Sequence, residues 1–527
     1  MRPIPFLLLA GCSALVSTAA VPAQEAVENP LRAVLEPFHE DAGALRRGSA
    51  SRERMRAFHE LARKNLDAMD FDAMGVEARI DALLFQGHLA HELRLLSLEE
   101  KRDREIEPLV PFAGTIAALE VSRRRMETID PEKAAETVAE LGKKVEEARK
   151  GEPKAERVPA RRASRRVAAL RESLRAWYRF HAGYHPEFTW WVQKPFEKAE
   201  KELDQYAGYL RDKLAKEGEP GAAGLVGDPI GRDELLAELG YEWIAYTPEE
   251  LIAAAEKEFA WCEERLREAS REMGCGDDVK KALEKVKRDH VPPGKQPDLV
   301  RDYARAAVKF LEERDLVTIP DLAKEVWRME MMPPDRQKTT PYFTGGEVVS
   351  VSYPTAEMEH EQKMMSMRGN NVHFCWATVH HEVIPGHHLQ LFMAQRHRAW
   401  RRDFRTPFLV EGWALYWELL LWDLGFARSP EDKVGMLFWR KHRAARIIVS
   451  LKFHLGKMAP AEMVDFLVDR VGHERDGATA EVRRYIAGDY PPLYQAAYLL
   501  GGMELRALRK ELVGSGKMTD QIGRAHV

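Results

Sequence analysis

Hydrophobic residues recur at three- and four-residue intervals along almost the whole stretch from Pro30 to Val326, the period of helices that bury one face. Long Glu/Lys/Arg/Ala-rich faces lie between them, as in Pro131–Gly151 and Asp228–Met273, and read as solvated helix surface. Thr247-Pro248-Glu249-Glu250 predicts a helix start, with Thr as N-cap, Pro at the first helical position and a Glu three residues after the cap. That helix should run to about Ser270. Aromatic residues gather at Trp177, Tyr178, Phe180, Tyr184, Phe188, Trp190 and Trp191, around a break at Gly183 and Pro186, and core packing is their expected role.

The pattern changes near Met331-Met332-Pro333-Pro334. Tyr342–Tyr353 alternates β-branched and small residues around a Gly-Gly turn and is expected to be a strand. As an edge strand it could hold an extended peptide by main-chain hydrogen bonds, and as a small hairpin it would be structural; the pattern leaves both open. The fold expected is mainly α, a large helical protein with a small β element. Its organisation is a signal segment at 1–23, a helical region at 24–325 and a region at 326–527 that carries the candidate chemistry, the last two packed as one unit.

Composition narrows the partners. Lys and Arg total 80 against 84 Asp and Glu, a net charge of −4 with no basic half, which argues against nucleic acid. Hydrophobic residues at 45% and charged residues at 31% suit a packed globular chain. Arg2 precedes an apolar run from Ile4 to Val16, and Val21-Pro22-Ala23 fits a cleavage site that would leave Gln24 first, so export is expected. Leu9-Ala10-Gly11-Cys12 also fits a lipobox, which would place a lipid anchor on Cys12. No later segment has the roughly 18 uninterrupted apolar residues of a membrane helix. Beyond the signal only Cys262, Cys275 and Cys375 remain, too few for a disulfide framework; a Cys262–Cys275 bridge and three free thiols are both compatible with the spacing.

The chemistry concentrates in His380-His381-Glu382-Val383-Ile384-Pro385-Gly386-His387-His388, which follows a helix-compatible run from Val372. A hydrolytic zinc needs about three protein ligands, an open position for water and a carboxylate that is not a ligand. On a straight helix six residues advance about 600°, leaving His387 roughly 120° from the face of His381. Pro385 and Gly386 forbid a straight helix, so the extra residues can bulge and return His387 to the metal, with His388 as the fallback. Glu411, just before Gly412 and an aromatic-rich helical run, is the expected third ligand. Glu418 lies two turns further on the same face, placed either to orient a ligand histidine or to form a salt bridge. Glu382, turned about 100° from the ligand face, is the expected general base. His360, His373 and His454 lack spacing partners and read as structural.

His381-Glu382 followed by Gly386-His387 resembles an expanded form of the zinc motif of thermolysin-like peptidases, and a lengthened motif of this kind occurs in dipeptidyl peptidase III. Glu411–Glu418 resembles the segment of neutral aminopeptidases that supplies their glutamate ligand. With Tyr353-Pro354 and Tyr498-Leu499-Leu500-Gly501-Gly502, the pattern resembles the bacterial family called domain of unknown function 885 over nearly the whole mature chain. The resemblance implies a helical metallopeptidase-like fold, zinc on His381, His387 and Glu411, water activated by Glu382, and a peptide or small amide as substrate. Tyr498, in the resembling C-terminal segment, is the candidate oxyanion donor, with Tyr494 in reserve. Ser450 stands where the family tends to have an acid, and relatives usually continue through another helix beyond Asp520. A non-catalytic binding or scaffolding protein, or a zinc hydrolase of a non-peptide amide or ester, would use the same residues.

Overall fold

The Thr247 capping box forms as the sequence predicts: Glu250 N–H donates to the Thr247 hydroxyl at 3.2 Å, Thr247 N–H donates to the Glu250 carboxylate at 2.8 Å, and the helix runs Pro248–Glu272. Helices of this kind make up most of the computed structural model, which describes residues 29–48, 51–217, 219, 224–337, 340 and 342–518. Helix accounts for 73% of the described residues, and the fold is mainly α. The chain forms two units, Met1–Ala90 and His91–Val527. The expected signal segment 1–23, Cys12 and the tail from 519 lie outside the described residues.

In the first unit, helices Pro30–Arg47 and Arg52–Asp67 are capped by Asn29 and Ser51. They pack through Leu31, Leu35 and Phe38, whose ring stacks on Phe58 at 5.0 Å and meets Phe85 edge-on at 4.8 Å.

The second unit holds two apolar cores. One lies among Pro131–Lys150, Arg157–Ala182 and Pro186–Tyr209, where Val138, Leu141, Leu174, Trp177, Phe188 and Leu203 are buried. The aromatic cluster divides here. Trp177 and Phe188 are core as expected, but Tyr184, Trp190 and Trp191 are exposed, Trp190 at 83%. Phe188 and Val192 share the inward face of their helix, and at 100° per residue Trp190 and Trp191 must point elsewhere.

The larger core assembles Pro248–Glu272, Gln296–Glu313, Val372–Glu382, Pro407–Asp423, Pro430–His454 and Tyr494–Leu512, so residues on both sides of 325 share it. The expected strand over 342–353 shortens to β2, Val348–Val351, which pairs in parallel with β1, Arg328–Met331. Thr344 and Ser350 exchange both backbone hydrogen bonds around the Gly345-Gly346 turn, so the two readings of the segment merge into a hairpin-like loop on a two-stranded ribbon. β1 escaped the pattern because its Arg-Met-Glu-Met run is exposed on both faces. No helix among the described residues is long and apolar enough to cross a membrane. Cys262, Cys275 and Cys375 are free thiols.

Candidate metal centre

Asn371 caps the helix Val372–Glu382 by accepting from the N–H groups of His373 and Phe374 at 3.0 and 2.9 Å. The helix stops at Val383, and a second begins at His387. Gly386 makes the return: a Cβ there would sit 1.7 Å from the carbonyl oxygen of His381, so only glycine fits. Its N–H donates to His380 O at 3.0 Å, and Trp413 Nε1 donates to Pro385 O at 2.8 Å, pinning the bulge to the helix that carries Glu411. That helix, Pro407–Asp423, crosses Tyr494–Leu512 where a Cβ on Gly412 would lie 2.6 Å from Gly501 Cα. The glycines flanking the two motifs are there for close packing, which brings Glu411 beside Tyr494 and Tyr498.

The bulge places His381 and His387 with ring centroids 4.8 Å apart and nearly perpendicular. Their Nε2 atoms lie 3.5 and 3.2 Å from Glu411 Oε2, and one ligand atom from each of the three residues falls within a 4.8 Å cluster. His388 turns away, its Nε2 against Ala323 O at 2.8 Å.

The surroundings prepare these atoms. Glu418 Oε1 lies 2.6 Å from His381 Nδ1, an acceptor that orients the ring and turns Nε2 toward Glu411. Arg443 Nη2 donates to the same Glu418 oxygen at 3.2 Å, so Glu418 both orients the histidine and forms a salt bridge. Burial opposes charge on all three groups. The Glu411 and Glu418 carboxylates nevertheless raise the His381 pKa to about 9, Arg443 and His381 hold Glu418 down to about 2, and the two histidines hold Glu411 well below the usual carboxylate range. Tyr494 donates its hydroxyl to Glu411 Oε1. Glu411 Oε2 is buried without a hydrogen-bond donor. A buried carboxylate oxygen and two imidazole nitrogens that converge on one point suit a divalent cation, and a His/His/Glu set has the composition of a catalytic zinc site.

The three residues open onto a cavity of about 260 Å³ that Glu382 and Tyr498 also line. The Thr344–Gly346 turn lies against Glu382, for a Cβ on Gly345 would fall 2.4 Å from its Oε2. Tyr498 lies parallel to the His381 ring at 6.2 Å; its hydroxyl accepts from Arg484 Nη2 at 3.2 Å and keeps its own proton to donate.

Sequence reasoning missed the far wall. Arg443 and Arg446, from the helix Pro430–His454, and Glu481 and Arg484, from Arg475–Ile486, line the same cavity. Arg446 donates through Nε to His442 Nε2 at 3.0 Å and through Nη2 to Glu481 at 2.8 Å. A guanidinium can only donate, so His442 Nε2 accepts and its Nδ1–H reaches His473 Nε2 at 2.8 Å; His473 Nδ1 in turn meets the Tyr342 hydroxyl at 2.8 Å. Burial, aided for His442 by Arg446, lowers the pKa of His442 to about 3 and that of His473 well below its usual value, keeping the chain of imidazoles neutral. The signal available in the sequence was the cationic run Arg440–Arg446 set inside an otherwise apolar helix. Ser450, where an acid was expected, is buried with its hydroxyl unpartnered.

A family model for a bacterial protein of unknown function, DUF885, matches residues 38–520. The chain belongs to the DUF885 family. No curated protein matches it. Among solved structures, a putative lipoprotein of unknown function from Shewanella oneidensis is similar at a TM-score of 0.65 and 16% identity, covering 90% of this chain and 89% of that one. A putative lipoprotein from Colwellia psychrerythraea is similar at 0.53 and 14% identity, covering 88% and 85%. At these identities the likeness is one of fold, shared by this DUF885 chain across most of its length.

Proposed function

We propose that this DUF885 protein is an exported zinc-dependent peptidase in which His381, His387 and Glu411 hold the metal and Glu382 is the general base. The observation that carries this reading is the convergence of two imidazole nitrogens and a buried carboxylate oxygen, beside a cavity that Glu382 also lines. The order His-Glu, His, Glu resembles that of thermolysin-like peptidases and supports the same reading. Zinc held there would polarise the scissile carbonyl and bring the acidity of a water near neutrality. Glu382 takes the water's proton and returns it to the leaving amine. Tyr498 donates its O–H to the carbonyl oxygen as negative charge develops there, while Tyr494 and Glu418 hold Glu411 and His381 in place. The substrate is a peptide or small amide. The lipoprotein descriptions of both solved relatives support export; mass spectrometry of the mature N-terminus separates cleavage before Gln24 from lipidation of Cys12.

The test couples metal analysis of the purified protein to a peptide-library digest. About one zinc per chain is expected, lost in His387→Ala and kept in His388→Ala; the reverse pattern would overturn the ligand assignment. Glu382→Gln should keep zinc and helical content and lower turnover by about 100- to 10,000-fold, the usual scale of general acid–base catalysis. A wild-type protein that carries zinc yet cleaves nothing in a broad library would point to a binding protein instead.

A further inference from the structure

The wall facing the metal centre is cationic beyond what its own carboxylates answer. Arg443 is paired with Glu418, which His381 already shares, and Arg446 with Glu481. Arg484 approaches Glu481 only at 3.8 Å and spends Nη2 on the Tyr498 hydroxyl. Three guanidinium groups thus meet two carboxylates. Arg443 and Arg446 are 4% and 2% exposed, and each of the three arginines keeps one buried N–H without an acceptor: Nε of Arg443, Nη1 of Arg446 and Nε of Arg484. Unmatched buried charge and unpaired buried donors are costly unless a ligand answers them. The Arg446 side chain is moreover held rigid by His442, Tyr485 and Glu481, so its remaining N–H is fixed in advance.

We propose that this wall binds the free C-terminal carboxylate of the peptide, making the protein a carboxypeptidase that acts within a few residues of the chain end. The proposal rests on the peptidase reading of the same cavity and adds its substrate class. A carboxylate is the planar monoanion that guanidinium N–H pairs match, and one negative charge balances the wall. A peptide's N-terminal ammonium would be repelled there, which argues against aminopeptidase action. The reach is set by Tyr498: its ring lies 6.2 Å from that of His381, with the Arg446 and Arg443 guanidinium carbons 4.4 and 4.7 Å from it. The guanidinium carbons are therefore no more than about 11 Å from the His381 ring, and at ~3.3–3.6 Å per extended residue the carboxylate follows the scissile bond by one to three residues.

Two measurements test this on the full-length, zinc-loaded protein. The first compares kcat/KM for peptide pairs that differ only in ending as a free acid or a carboxamide. The acid should be preferred at least ~10-fold, the scale of one charge-assisted hydrogen bond, and Arg484→Gln should erase most of that ratio while Arg484→Lys restores part of it. Equal cleavage of acid and amide by the wild type, or a ratio unchanged in Arg484→Gln, would overturn the proposal while leaving the peptidase reading intact. An amidated peptide ending in glutamate that is cleaved as well as the free acid would also overturn it, by assigning the wall to a side-chain carboxylate. The second is calorimetric binding of N-acetylated dipeptide acids and their amides to Glu382→Gln, which needs no turnover. Binding of the acid alone, weakened in Arg484→Gln, supports the carboxylate site even if no peptide is ever cleaved, and would then fault only the peptidase reading. Absence of binding by both forms overturns the site.

Discussion

Two helices of 25 residues lie against each other in the large core and obey different rules. Pro248–Glu272 buries nine residues at helical spacing, chiefly Leu251, Ile252, Ala255, Phe259, Cys262 and Leu266, and shows water a charged back. Pro430–His454 buries 21, among them Arg440, Lys441, His442, Arg443 and Arg446. The first is held by apolar area on one stripe and a well-made cap. The second is buried on nearly all sides within its unit, and its buried cations are tolerated because each meets a partner: Arg440 Glu258, Lys441 Glu263, Arg443 Glu418, Arg446 Glu481. A helix that breaks the rule of burying apolar faces is the one that lines the candidate site, as expected where stability is traded for chemistry.

The sharpest way to break the comparison is to remove a charge from the buried helix. Arg446→Met should destabilise the protein by about 3–5 kcal/mol in chemical denaturation, because it leaves Glu481 as an uncompensated buried carboxylate. The double variant Arg446→Met/Glu481→Leu should recover much of that loss. If the single variant costs no more than an exposed arginine would, the network is not holding charge in the interior and the contrast between the helices fails.

Of the two helices, acid should act on the buried one. His442 and His454 are buried and neutral, with pKa values lowered to about 3 and about 4, burial being the main cause in both. The unfolded chain takes up protons at these residues below about pH 6.5 and the folded chain does not, so their stabilising contribution is complete above that pH and is lost as pH falls toward 3 and 4. Between pH 6.5 and 5 each should cost about 1.6 kcal/mol, the slope rising toward ~1.36 kcal/mol per pH unit as the unfolded imidazole becomes fully protonated. In metal-free protein His381, raised to about 9, stays protonated when folded while the unfolded chain goes from half to fully protonated, so it offsets the loss by only about 0.4 kcal/mol. Denaturation midpoints in chelator at pH 6.5 and 5, with His454→Gln as control, measure the effect; a midpoint flat over this interval would show the histidines are not buried neutral.

The same contrast explains what could be read from the sequence. Pro248–Glu272 was legible because period, cap and charge all agreed. The HE…GH bulge was legible because Pro385 and Gly386 announce a break and the spacing leaves few ways to return a histidine; Gly386 at 1.7 Å from a carbonyl shows why glycine is required. Glu411 was legible from its motif. The arginine wall was not, since Arg440–Arg446 resembles any solvated basic turn until tertiary packing shows what surrounds it. Trp190 and Trp191 misled for the opposite reason: cluster density suggested core, while the 100° step between neighbours had already assigned Phe188 and Val192 to the inside.

On the amphipathic helix the effects should be smaller and local. Thr247→Ala removes the side-chain acceptor for Glu250 N–H and should cost about 1 kcal/mol, with no change in zinc content, since the cap is remote from the ligand cluster in sequence and shares no hydrogen bond with it. A loss of zinc on capping alone would mean that the two helices are coupled more tightly than their separate roles imply.

The smallest effects belong to the contacts that join these helices in water, Lys433 with Glu272 and Lys452 with Glu256. Lys452 Nζ donates to Glu256 Oε1 at 3.1 Å, with side chains 31% and 54% exposed. The buried counterpart of this pair is Arg440 Nε with Glu258 Oε1 at 2.5 Å, a guanidinium in place of an ammonium, with side chains 9% and 14% exposed. At the surface the Coulomb attraction is screened and two long side chains lose rotamer freedom, so a double-mutant cycle on Glu256 and Lys452 should give under ~0.5 kcal/mol, fading in molar salt as the Debye length shrinks to roughly 3 Å. The cycle on Glu258 and Arg440 should give several times more and respond little to salt. Coupling energies of equal size would mean that burial is not what separates the two helices; a large, salt-insensitive value only for the buried pair would place the difference where the structure puts it, in the exclusion of water from Pro430–His454.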